Sequence, residues 1–261
     1  MSTKHRNSPC PCGSGKKLKK CCLDKNHTYG SNEATPLAMQ LAFASKTQAI
    51  LMAETWRQMT VAAKAGDLIR LNELADTYID VMYPDPEIFT HRLHYTAHHE
   101  AGHALVATIL GLNLKNVTVS PHYESIEEFK KFVSFGAIPD GQNRILPSPT
   151  TSKLQVSAVA LAGEIAALRF CQCAMHKFGD LKDLQDVQEP PGLSKQEAIS
   201  ILFPVVEKLI ARHGPQVQAI ANALVEHQTL SGDEVKAVML ASGWNPETDV
   251  DPLGLDAEAA A

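Results

Sequence analysis

The sequence lacks a long hydrophobic run. Its 261 residues are 44% hydrophobic and 20% charged, as is usual for globular proteins. The longest apolar stretches, near 104–112 and 156–170, are short or interrupted by polar residues, whereas a membrane-spanning helix needs about 20 apolar residues. The sequence therefore predicts no membrane span. Because no apolar segment follows the basic N-terminus, it also argues against a secretory signal and favours a cytoplasmic protein.

A nucleotide-binding loop is missing as well. Residues 13–16 read Gly-Ser-Gly-Lys, but the spacing of glycines, lysine and hydroxyl residue that cradles phosphates is absent. We therefore expect no ATP-driven motor in this sequence.

Cysteines are few, and four of the six lie within 13 residues, at Cys10, Cys12, Cys21 and Cys22. In a cytoplasmic protein this clustering favours metal binding over disulfides, although free thiols or a redox pair are alternatives. Four thiolates can close a tetrahedral zinc site, and so short a segment has no core without one. The sequence therefore predicts a structural zinc site.

The same segment is strongly basic. Residues 1–25 contain seven lysines and arginines and one acid, although the whole chain has a net charge of −5. This asymmetry indicates a positive face that binds an acidic protein, a ribosome or nucleic acid. A solvated lysine face without a partner is the alternative.

Residues 7–22 resemble the zinc-binding tail of the SecA translocation ATPase, the SEC-C motif, almost residue for residue. Leu18 stands where an aromatic residue is usual, and Cys22 stands where histidine is common. The resemblance implies that the four cysteines hold one zinc ion in a knuckle at 1–26, which a polar linker at 27–35 follows.

A second metal motif, His99-Glu100-Ala101-Gly102-His103, lies near the middle of the chain. On a helix, residues four apart share one face, so His99 and His103 can bind one zinc ion. Glu100 can then serve as general base and acid for a zinc-activated water. With 11 histidines in the chain, a chance match is the alternative.

The neighbouring sequence resembles the zinc-site domain of the FtsH-type membrane proteases over residues 91–240. The best-matching segment is 96–107, Thr-Ala-His-His-Glu-Ala-Gly-His-Ala-Leu-Val-Ala, and segments 117–121, 161–167 and 219–235 follow in the family's order. Glu164 replaces an arginine that is usual there. The resemblance implies a zincin-like metalloendopeptidase with His99 and His103 as zinc ligands and Glu100 as its catalytic residue.

The family's third zinc ligand is an aspartate at the start of a later helix. Asp183 and Asp180 both fit that setting, and we favour Asp183 because Asp180 is well placed to cap the helix. The alternative is that both aspartates only cap the helix and compensate its dipole. Glu164 is a third candidate, or a partner that orients a ligand histidine. His91, His94 and His98 are interpreted as packing or surface residues.

The predicted fold is mainly α with a small antiparallel β element. We expect a helical segment at 36–85, the peptidase domain at 86–242 and an acidic flexible tail at 243–261. Segments 116–120 and 131–136 are rich in β-forming residues and predict an antiparallel pair. The second of these strands either binds substrate through its edge or lies in the core.

These features predict a soluble, ATP-independent zinc metallopeptidase with one catalytic and one structural zinc ion. Its expected substrates are peptides or unfolded proteins, since the unfolding motor of the FtsH-type proteases is missing. Two alternatives are a catalytically silent zinc-binding adaptor and a zinc hydrolase of non-peptide amides. The oligomeric state stays open.

Overall fold

A computed structural model describes residues 46–133, 141–146, 148–171, 187–190, 192–249 and 252–253. The helices are α1 Lys46–Ala65, α2 Leu68–Met82, α3 Pro86–Ile109, α4 Ile126–Val133, α5 Lys153–Phe170, α6 Lys195–Arg212, α7 Gly214–His227 and α8 Gly232–Ala241. The strands are β1 Leu114–Thr118, β2 Gln142–Ile145 and β3 Thr229–Ser231. The prediction of a mainly helical protein with a small antiparallel sheet is confirmed. Among the described helices, none is long and apolar enough to cross a membrane.

Local sequence signals fix several helix ends. Gly66 and Gly111 adopt positive φ angles of 74° and 67° and follow α1 and α3, a conformation that glycine adopts without steric cost. The Asp67 carboxylate accepts a hydrogen bond from the backbone N–H of Arg70 and caps α2. Reciprocal serine capping boxes begin three later helices, at Ser152, Ser194 and Ser231.

The described residues form two compact units. The first contains His91–Val119 and the residues from Gly141 onward, and the second contains those of Thr28–Thr90 and Ser120–Asp140. In the second unit, α1 packs on α2, and large side chains such as Met59, Tyr78 and Phe129 fill the core.

The sheet of the first unit has the order β2-β1-β3, with β1 antiparallel to both neighbours. Val117 pairs with Asn143 on one side and with Leu230 on the other. The hydrophobic core of this unit contains small residues of α3 and α5 and larger aliphatic residues of α6 and α7.

The strand predicted at 131–136 is wrong where the structure describes it. Residues 131–133 end α4, while 134–140 lie outside the described residues. Helix α4 has two glutamates in its first turn and two lysines in its last. Negative charge near the N-terminus and positive charge near the C-terminus interact favourably with the helix dipole and stabilise a helix. The partner of β1 is β2 instead, so the proposed substrate edge at 132–136 has no described strand.

The beginning of the predicted flexible tail at 243–261 is folded. The Asp249 side chain is 1% exposed and contacts Arg212 and His213 at 3.2 and 3.3 Å. The Trp244 indole N–H donates to Asp249 Oδ2 over 2.9 Å. This buried carboxylate anchors the segment that follows α8; the other domain limits remain predictions.

Candidate metal centre

Helix α3 carries the His-Glu-x-x-His motif on a buried face. His99, Glu100 and His103 are only 8%, 6% and 7% exposed. The two histidines lie one turn apart, and their Nε2 atoms are 3.0 Å apart. Zinc–nitrogen bonds of about 2.0–2.1 Å at tetrahedral angles place two imidazole nitrogens about 3.3 Å apart. The imidazole pair is therefore close to the spacing that one shared zinc ion requires.

A backbone carbonyl fixes the chemistry of His103. Its Nδ1 atom is 2.6 Å from the carbonyl oxygen of Val159 on α5. Because a carbonyl only accepts hydrogen bonds, Nδ1 carries the hydrogen and a neutral ring leaves its lone pair on Nε2. This orientation, held by a neighbour outside the ligand set, is typical of metal-binding histidines.

Glycine on α5 keeps space open at the two imidazoles. A Cβ atom added to Gly163 would lie 2.7 Å from His99 Nε2 and in still closer contact with His103 Nε2. Any side chain at this position would occupy the space beside both nitrogens. The donor set and this cradle together fit a zinc ion.

A second glycine brings α3 against α5. A Cβ atom at Gly102 would lie 2.6 Å from the Ala166 Cβ atom and would also collide with the Ala162 carbonyl oxygen. Helices in such close contact can present Gly163 directly to the histidines of α3.

The start of β2 lies against Glu100. The Asn143 Nδ2 atom donates to Glu100 Oε2 over 2.6 Å and to the Glu100 carbonyl oxygen over 3.0 Å. A Cβ atom at Gly141 would lie 2.7 Å from both Cγ and Oε1 of Glu100. The candidate base is therefore enclosed by the strand that pairs with β1.

Glu164 contacts the site through an aromatic ring. The Tyr95 hydroxyl donates to Glu164 Oε2 over 3.1 Å, and the Tyr95 ring stacks on His99 with the centroids 6.2 Å apart. Glu164 is thus connected to His99 through the Tyr95 ring, and its role as ligand or as orienting partner stays a prediction.

The described part of the chain contains no group of three His, Cys, Asp or Glu residues that could hold a metal ion. Asp180 and Asp183, the two candidate third ligands, lie outside the described residues. So do the four cysteines of the N-terminal segment. Their predicted roles remain predictions.

Of the other histidines of α3, His98 makes packing contacts. His98 stacks on Phe170 with centroids 6.0 Å apart, and its Nδ1 atom lies 2.7 Å from the His94 carbonyl oxygen. Burial lowers the pKa of His94, and the nearby His98 and His91 lower it further. These contacts agree with a packing role.

The comparisons with known proteins concern the N-terminal segment. The SEC-C motif family matches residues 6–24, which confirms the resemblance of 7–22 to this zinc-binding type of motif. No curated protein matches the chain. The match does not extend to 91–240, so the FtsH-type resemblance stays a prediction.

Sequence reasoning missed two contributors to the site. Gly163 stands inside a segment that resembles the FtsH-type family, but nothing in the sequence indicates its contact with the histidines. Asn143 gave no signal, because a single asparagine in a polar stretch has no distinctive spacing. Only the pairing of β2 with β1 brings it to Glu100.

Proposed function

We propose that the chain is an ATP-independent zinc metallopeptidase with a zincin-like domain similar to that of the FtsH-type proteases. His99 and His103 would hold the zinc ion and Glu100 would move the proton. The observation that carries this proposal is the buried pair of Nε2 atoms 3.0 Å apart, with a buried carboxylate at the adjacent position.

A zinc ion held there would make a water nucleophilic near neutral pH and polarise the substrate carbonyl. Glu100 takes the proton of the attacking water and later delivers it to the leaving amine. Its burial and its contacts with Asn143 and Gly141 hold the carboxylate in place during both transfers. His103 keeps its Nε2 lone pair directed at the site through the bond to Val159.

Two histidines need a further ligand for a catalytic zinc site, which commonly has three protein ligands. We assign this role to Asp183, with Asp180 as the competing candidate. In the purified full chain, the expected zinc content of two per molecule should fall to one in Asp183→Ala and stay at two in Asp180→Ala. The reverse pattern would assign Asp180, and no loss in either variant would contradict both assignments.

Flexible chains, protein tails and small peptides are the proposed substrates. The sequence contains no nucleotide-binding loop that could power unfolding of folded proteins. Its basic SEC-C motif at 6–24 supports a recruiting role, in which a positive zinc knuckle docks an acidic protein, a ribosome or nucleic acid.

The decisive experiment compares cleavage of unfolded casein by wild type and by Glu100→Gln, which removes the base while keeping nearly the same shape. We expect chelator-sensitive cleavage in wild type and a loss of about 10²–10⁴-fold in the variant, the range that general acid–base catalysis contributes. Zinc content must be equal in both proteins. Glu226→Gln is the matched control, because Glu226 is exposed on α7.

Absence of cleavage in zinc-loaded wild type would contradict the peptidase proposal. Binding of a protein partner without cleavage would then support the zinc-binding adaptor. Cleavage of small amides but not of casein or peptides would indicate a zinc hydrolase of another substrate class.

A further inference from the structure

Asn143 is the β2 side chain whose two hydrogen bonds both end on Glu100. Its Nδ2 atom donates over 2.6 Å to Oε2 and over 3.0 Å to the backbone carbonyl oxygen of the same residue. One amide group therefore fixes the glutamate at its side chain and at its main chain.

The chemistry of the partners determines which way this amide faces. A carboxylate oxygen and a carbonyl oxygen both accept hydrogen bonds, so only the NH₂ end of the Asn143 side chain can face them. Aspartate has nearly the same shape as asparagine but cannot donate from this position when ionised. The site thus depends on an amide donor and not merely on a polar side chain of this size.

The sheet fixes where the amide lies. Asn143 pairs with Val117 at the centre of the β1–β2 ladder, and Gly141 passes so close to Glu100 that an added Cβ atom would overlap it. Backbone pairing therefore places the donor, and Glu100 receives its orientation from the strand as well as from α3.

The opposite end of the amide gives a second indication. Asn143 Oδ1 is buried and has no hydrogen-bond partner within the described residues. Among the described residues, the hydrogen bonds of this amide therefore run from its donor end, to Glu100.

We propose that Asn143 is a positioning residue for the proton-transfer step: it orients the Glu100 carboxylate toward the attacking water. This inference rests on the proposed peptidase function. A general base must lie within hydrogen-bond reach of the proton that it accepts, and the two bonds from Asn143 hold the carboxylate in one orientation.

The test compares Asn143→Asp with Asn116→Asp. Both variants add one carboxylate to neighbouring strands of the same sheet, but the Asn116 side-chain oxygen already accepts a hydrogen bond from Arg144, and its replacement retains that acceptor. Loss of a partner that supports an active-site group costs about 10–100-fold in activity. We expect kcat to fall by that factor in Asn143→Asp, with KM and zinc content unchanged, and to stay within about twofold in Asn116→Asp.

Asn143→Ala removes the amide without adding charge, and it should lower kcat in the same direction. Equal kcat in wild type and in both Asn143 variants would overturn the proposal. A rise in KM alone would also overturn it, because it would indicate a substrate contact; loss of zinc in the folded variants would indicate a role in the metal site itself.

A stability measurement tests the contact without any turnover. Asn143→Asp should lower Tm by about 2–8 °C more in the wild-type background than in Glu100→Gln, whose amide can donate to the new carboxylate. If wild type shows no hydrolysis but this coupling is present, the proposed function fails while the contact stands. Equal Tm losses in the two backgrounds would contradict the contact and the inference with it.

Discussion

The cores of the two units contain different kinds of side chains. In the second unit, large side chains fill the space between helices, with Met52, Met59 and Tyr78 almost completely buried. In the first unit, the contact between α3 and α5 is made by alanine and glycine, and His99 and Glu100 are buried among them.

This difference separates a core that maximises apolar burial from one that accommodates polar groups. Burying histidine and glutamate costs free energy unless each has partners, and small residues forgo much of the packing energy of larger ones. Departures of this kind from an apolar core are expected at functional sites. The proposed metal site therefore lies in the first unit, whereas the core described for the second unit consists of large apolar and aromatic side chains.

Gly163→Ala should have the largest effect on the proposed metal site. The added Cβ atom would fill the space beside both imidazoles, so we expect loss of one of the two zinc ions and of all hydrolysis that depends on it. The measurement is the zinc content of the purified variant, determined by mass spectrometry. Gly214→Ala is the control, because its Cβ atom would meet only the Phe170 ring at 3.3 Å. Full zinc content in Gly163→Ala would contradict the proposed cradle.

The α3 helix, its glycine stop and its metal motif were predictable because they depend on local signals. Residues four apart share one face of any helix. Glycine readily adopts the positive φ that often follows a helix, as Gly111 does after α3. Strand β1 was also foreseen, within two residues, from its β-rich composition.

The two strands that pair with β1 are not predictable from local sequence. Strand β2 reads Gln-Asn-Arg-Ile and β3 has three residues, so neither shows the alternating apolar pattern that marks a strand. Both are defined by pairing with β1, a long-range contact that local sequence does not encode. The same pairing brings Asn143 to Glu100, which explains why this contact escaped prediction.

Met59→Ala should lower stability but leave the zinc content unchanged, in contrast to Gly163→Ala. Met59 is fully buried in the second unit, and truncation of such a side chain costs about 2–5 kcal/mol of unfolding free energy. Urea denaturation should show this loss, while the folded variant keeps both zinc ions. A loss of zinc from the folded variant would contradict the division between a packing core and a chemical site.

The smallest predicted effect concerns pH. Because burial lowers the pKa of His94 below its usual 6.5, the unfolded chain binds this proton more readily than the folded chain does. His94 therefore lowers stability as the pH falls below about 6.5, and this loss stops growing once the pH is below the folded pKa. Tm measured at pH 7.5 and at pH 5.5 should differ less in His94→Asn than in wild type. Equal pH dependence in the two proteins would contradict this contribution.

The zinc content of a full-length variant whose N-terminal cysteine site is disabled decides whether His99 and His103 bind zinc. Replacing Cys10 and Cys12 with serine should leave one zinc ion per molecule, and adding His103→Ala should remove it while the protein stays folded. The competing explanation is a direct N–H···N hydrogen bond between His99 and His103, which the 3.0 Å separation also permits. A folded double-cysteine variant that binds no zinc, or one that keeps its zinc after His103→Ala, would contradict the metal centre.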